Sequence, residues 1–97
     1  MKVLFMVRKP YFDAIVAGTK TEEIRRYTSR WWTVSQHVGE RGAIAVFMCG
    51  RDIHRRIILG TRSCISAEIY LGRALSKDGK KDVGNGPVIV FLLGDVA

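Results

Sequence analysis

AGTKTEEIRR, residues 17–26, sets five charged side chains and two threonines behind a single glycine. What precedes it decides how it is read. Pro10 suits the first turn of a helix, because the N–H it lacks is one that the turn leaves unpaired anyway. From there Tyr11, Ala14 and Ile15 recur at helical spacing, with Phe12 and Val16 widening the apolar face, which predicts one short helix over residues 10–17. Gly18 is placed to close it in the left-handed conformation. Beyond the glycine, Lys20 to Arg26 reads as a polar strand: alternation puts Thr21, Glu23 and Arg25 on one face and Glu22, Ile24 and Arg26 on the other. With charge on both faces, one of them must look into something polar.

Outward from this stretch the chain is strand-rich. Val3 to Val7 is a β-favouring run stopped by Arg8, Lys9 and Pro10; Ala43 to Cys49 is a continuous apolar run suited to a strand covered on both sides; Arg56 to Leu59 is a shorter candidate. Residues 64–71 alternate, with Ile65, Ala67, Ile69 and Leu71 pointing one way, and Val88 to Leu93 reads as a last buried strand. Asp78-Gly79 and Asn85-Gly86 carry turn chemistry, which predicts a mobile basic loop over 76–86. Five or six short strands and one helix make an α+β, mainly β chain, closed as a small barrel to remove exposed strand edges.

Ninety-seven residues suit one domain, 1–97, and no Pro-rich, Ser-rich or repetitive segment marks a linker. Sixteen Lys and Arg against nine Asp and Glu give a net charge of +7, which favours polyanions; the excess of arginine, whose planar fork grips phosphates and base edges, favours nucleic acid over a lipid surface. The apolar start of the chain is too short for a signal core or a membrane span, so the expected location is cytoplasmic, with no membrane partner. Cys49 and Cys64 are then expected as reduced apolar fillers. His37 and His54 stand singly, so neither a metal site nor catalytic histidine chemistry is expected, and no glycine-rich phosphate loop opens a helix, so no cofactor is expected either.

Gly18, Lys20, Glu23 and Arg25 match the G-x-K-x-x-E-x-R arrangement that follows a glycine-capped helix in ASCH domains, and the first 26 residues resemble that family. The resemblance implies a PUA-like β-barrel and an RNA-related role, since PUA domains bind RNA in a cleft between helix and barrel. One branch removes the acetyl group from N4-acetylcytidine with a lysine, a threonine and a glutamate, and another is associated with RNA cleavage. Lys20 matches that lysine, but Glu23 stands at the threonine position, and the third, downstream glutamate has no counterpart: Glu68 falls within the strand expected at 64–71, before the place where that acid belongs.

The site expected from these readings is a basic cleft for RNA or a nucleotide. Lys20 at the helix–strand hinge would reach a phosphate or polarise a carbonyl, and Glu23 and Arg25 would form a wall that reads a base and grips an anion. Arg8 and Lys9 would sit at its edge, and Arg26, Arg30 and one of Trp31 and Trp32 would extend the surface, an exposed indole offering a stacking platform. Were the protein a hydrolase of RNA or of an acylated nucleoside, Lys20 and Glu23 would be its catalytic pair, with Glu23 as general base. The remaining alternatives are structural ion pairs at Glu23 and Arg25, tryptophans that only pack, a soluble loop rather than a phosphate-tracking hairpin at residues 50–56, and a basic module that binds a protein partner.

Overall fold

The computed structural model describes residues 1–41 and 43–97. In chain order the elements are β1 (Lys2–Met6), α1 (Lys9–Ala17), β2 (Glu22–Arg26), α2 (Ser29–Arg41), β3 (Ala43–Cys49), β4 (Asp52–Cys64), α3 (Ala67–Leu71), α4 (Lys77–Val83) and β5 (Val88–Val96). The strands form one mixed sheet in the order β1-β3-β4-β5-β2, with β1 parallel to β3 and every other pair antiparallel. The two edge strands are therefore β1 and β2. Arg25 on β2 donates from Nη2 to the Met6 carbonyl on β1 at 3.0 Å, so the sheet curls until its own edges are bridged by one side chain, as a half-barrel.

Alternation along the strands sends two sets of apolar side chains to opposite sides of β5. Val3, Phe5, Ala45, Phe47, Ile58, Ile89, Phe91 and Leu93 fill the concave side together with Phe12 and Ile15 of α1 and Val38 of α2. Phe5 lies at the centre, stacked on Phe47 and Trp31 at 5.2 Å each and edge-on to Phe91 at 5.1 Å. On the other side Val88 and Val90 pack with Ala67 of α3 and, at the margin, Ile24, Leu75 and Val83. Arg56 is buried on the concave side, where its Nε donates to the Gly94 carbonyl and its Nη1 to the Ile15 carbonyl at 3.1 Å, tying β4 to β5 and to the last turn of α1. A buried guanidinium is tolerated when its donors are used in this way.

The strand count agrees with the sequence reading, and the helix count does not: α1 is one of four helices among the described residues. Trp31-Trp32, expected on an extended segment, lie in α2. Thr28 Oγ1 accepts from the Trp31 N–H at 3.2 Å to start that helix, and Trp31, Val34 and Val38 share its buried stripe. Residues 64–71 are not a strand. β4 ends at Cys64, and Ser66 turns the chain by accepting the Ile69 N–H, which opens α3. Residues 76–86 are not simply a loop, because Ser76 caps α4 by accepting the Gly79 N–H. The short strand expected at 56–59 is the middle of a thirteen-residue β4 that begins at Asp52, with register shifts between Arg56 and Gly60. Gly50 and Arg51 make the β3–β4 hairpin turn, so Asp52 to Arg56 lie on a strand and not in a basic loop.

His54 sits on the concave side of β4 with its Nε2 buried and unpaired, and burial, then the Arg56 charge, hold its pKa below the ordinary 6.5. The folded protein thus resists a proton that the unfolded chain accepts. Stability is expected to fall as pH drops below about 6.5, whereas above that pH His54 contributes no dependence. Urea unfolding of His54→Gln between pH 5 and 8 checks this: the variant should lose less stability on acidification than the parent, and equal slopes would contradict the assignment.

Candidate functional site

The segment between α1 and β2 is fixed by the carbonyl of Ala14. With Gly18 at φ 80°, the chain doubles back so that the N–H groups of Thr19 and Lys20 donate to Ala14 O at 3.0 and 3.1 Å, joined by Thr19 Oγ1 at 3.2 Å. A side chain larger than hydrogen at position 18 would strain that turn. Lys20 is thereby set at a hinge. Its ammonium donates to the Glu22 carbonyl and, at 3.3 Å, to Glu23 Oε1, and it lies 5.9 Å from the Tyr11 ring centre. An ammonium has three donors, so one remains for a ligand.

Alternation on β2 then divides the charged run. Glu23 and Arg25 face the concave side. Glu23 is 6% exposed, and its Oε2 lies 3.8 Å from Arg25 Nη2, an ion pair without a hydrogen bond. The Arg25 guanidinium is wedged against the faces of Phe5 and Trp31, at 5.2 and 5.3 Å from their centres. Glu22 faces the opposite way, together with Ile24 and Arg26. Beside it stands Tyr70 of α3, whose pKa is raised above 10 chiefly by hydrogen bonding to the Glu22 carboxylate, with burial adding to the effect. The second carboxylate oxygen, Glu22 Oε2, is buried without a partner.

Two adjoining depressions run along the free edge of β2 between α1 and α4. The larger, about 440 Å³, is lined by Tyr11, Lys20, Glu22, Arg73, Ser76 and Gly79 among others; the second, about 360 Å³, is lined by Met6, Arg8 and Arg25. Tyr11, Ile24, Asp82 and Val83 border both, so they form one continuous groove. Of the four buried charged or polar side-chain atoms without a partner among the described residues, three belong to this strand: Glu22 Oε2, Glu23 Oε2 and Arg25 Nε. Unpaired buried polar atoms are costly, and Glu22 and Arg25 of this strand also line the groove, while Glu23 lies behind it.

The other residues expected from sequence are distributed less compactly. Arg8 reaches across the second depression to Asp82 of α4 at 2.9 Å, while Lys9 is held by Asp13, one turn along its own helix, at 3.3 Å. Arg26 turns to the far side and holds the end of α4, donating to the carbonyls of Asp82 and Lys81 at 3.1 and 2.8 Å. Arg30 lies over Trp31, whose ring packs on the core. Trp32, 46% exposed, lines a separate depression of about 250 Å³ with Tyr27 and Arg62. Sequence reasoning missed Glu22, Tyr11, Tyr70, Arg73 and the wall made by α4. For α4 the signals were present in the Ser76 cap, Asp78 in the first turn and Lys80 and Lys81 in the last. Cys49 and Cys64 are free thiols, half-buried against the two apolar clusters.

The described strands make a curled five-stranded mixed sheet bridged at its seam as a half-barrel, the fold also found in an ASCH protein of known structure. The protein in hand shares that fold with the ZmASCH S128A mutant protein from Zymomonas mobilis, known from its crystal structure: TM-score 0.64, 19% sequence identity, 97% of this chain and 68% of that one covered. At that identity the likeness is one of fold. No family model and no curated protein matches the sequence. No described helix is long and apolar enough to cross a membrane.

Proposed function

We propose that the groove along β2 binds single-stranded RNA or a nucleotide. The reading is carried by the cations Lys20, Arg25 and Arg73 that line this groove together with the Glu22 carboxylate and the Tyr11 ring. Lys20 and Arg25 supply the cations for a phosphate, with Arg73 at the far wall. The Glu22 carboxylate lines the groove and suits the exocyclic amine of a base, and Tyr11 offers a face on which that base can lie. Glu23, behind the wall, holds Lys20 and Arg25 in place. Its engagement with both, and its absence from the groove lining, support binding better than the hydrolytic reading, in which Glu23 must reach a substrate as general base.

Titration with single-stranded RNA, duplex DNA and polyphosphate across a salt series tests the reading. RNA should bind most tightly. With Arg8 taken up by Asp82, Lys20, Arg25 and Arg73 each neutralising one phosphate predict a slope of log affinity against log salt near −2, from ~0.7 per phosphate, and Lys20→Ala should remove about one such increment. Polyphosphate bound as tightly as RNA, with a slope that Lys20→Ala leaves unchanged, would contradict it.

A further inference from the structure

The convex face of β1, β3 and β4 is apolar and bare. Strand register places Leu4 beside Val46 beside Arg55, Met6 beside Met48 beside Ile53, and Lys2 beside Ile44 beside Ile57. These nine positions form a three-by-three grid on the side away from the core, and seven of them are apolar. Leu4, Met6, Ile53 and Ile57 are between 41% and 68% exposed, while Val46 at the centre is buried by its neighbours alone. Both apolar clusters lie elsewhere: α1 and α2 pack on the concave side, and α3 and α4 on the outer face of β5. Among the described residues no element covers the grid.

Its size and charge say what fits. Three strands ~4.8 Å apart and residues ~6.7 Å apart along each strand give a patch of roughly 10 by 14 Å between Cα positions. A single helix with its side chains is ~10–12 Å wide, and about ten residues, close to three turns, span 14 Å. The same patch is well short of the ~800 Å² per partner that a stable dimer buries, and a second copy would also bring a second +7 charge against it. The only charged positions in the grid are cationic, Lys2 at one corner and Arg55 on the opposite edge, and neither makes an ion pair among the described residues. Acidic residues flanking an apolar stripe would meet them. All three methionines of the chain lie here, Met6 and Met48 in the grid and Met1 at its rim, where its carbonyl accepts the Ile44 N–H. Unbranched, polarisable side chains of this kind adapt to a partner's surface.

We infer that this face docks an amphipathic helix of a partner polypeptide, apolar along one stripe and flanked by Asp or Glu. The site is separate from the β2 groove, so it stands or falls independently of the RNA reading. The test uses a 14-residue helix-forming peptide with leucines on one face and flanking glutamates, a counterpart with lysines in place of the glutamates, and protein labelled at its methionine methyls. The glutamate peptide should shift Met6 and Met48 and bind at least tenfold tighter than the lysine peptide. Ile53→Glu, or Ile57→Ser should the first variant unfold, should weaken binding about tenfold, and Arg55→Glu should reverse the preference. Equal binding of the two peptides, or binding of neither, overturns the inference. So does concentration-dependent self-association that shifts the same methyls, or tighter binding to phosphatidylglycerol vesicles, since either result assigns the face to a different occupant.

Discussion

Phe5→Ala is expected to lower stability by about 3–5 kcal/mol, the cost of removing a fully buried aromatic ring and leaving its cavity. Phe5 has no exposed surface, sits opposite Phe47 in the β1–β3 register, and is enclosed by Trp31 on one face and the edge of Phe91. Its ring is also one of the two on which Arg25 rests. A 97-residue domain has roughly 5–15 kcal/mol in total, so the variant should unfold at much lower urea, with a thermal midpoint down by more than ~10 °C. A loss below ~1 kcal/mol would mean that the site collapses around the missing ring, and the account of the concave core would need revision.

The second large effect belongs to Arg25. Arg25→Gln removes the bridge from β2 to the Met6 carbonyl, the cation over Phe5 and Trp31, and the counter-charge to a carboxylate that is 6% exposed. Breaking a buried pair from one side costs about 3–5 kcal/mol; because the Arg25 side chain keeps 23% of its surface in water, about 2 kcal/mol is expected. RNA affinity should fall at least tenfold in the same variant. The two losses come from different causes and can be separated. With Arg25 gone, Glu23 keeps only Lys20 as a partner; in the double variant Arg25→Gln, Glu23→Gln that half-compensated charge is removed, so part of the stability should return while affinity stays low. If affinity returned with stability, Arg25 would be a structural residue only. Arg25→Lys should rescue neither in full, since an ammonium lacks the planar fork that lies on the two rings while bonding a carbonyl.

The sequence made the hinge and β2 more legible than the elements that face them across the groove. Gly18, Lys20 and the alternation of residues 21–26 were readable because a helix cap and a period of two are local rules that the fold obeys here. The signals of those elements conflict. At residues 64–71 a clean alternation spelled a strand, yet Ser66 as a cap and a buried Ala67 at the foot of β5 turned it into one helical turn. At 76–86 the Asp78-Gly79 pair suggests a turn, while the Ser76 cap, Val83 packing on the second cluster and Arg26 bonded to the last carbonyls hold the segment helical. In α2 the period was present at Trp31, Val34 and Val38, but the paired tryptophans favour strands. Glu22 was hidden for another reason: its neighbours in the fold, Tyr70 of α3 and Arg73 beyond it, lie 48 residues or more away in sequence, where no local pattern reaches.

The most direct measurement is a titration of isotope-labelled protein with a short single-stranded RNA, followed residue by residue by NMR. The account predicts that the largest shifts fall on Tyr11, Lys20, Glu22, Arg25 and Arg73, with Leu4, Ile53 and Ile57 on the convex face unmoved. Shifts confined to Tyr27, Trp32 and Arg62, or spread evenly over every surface arginine, would contradict it.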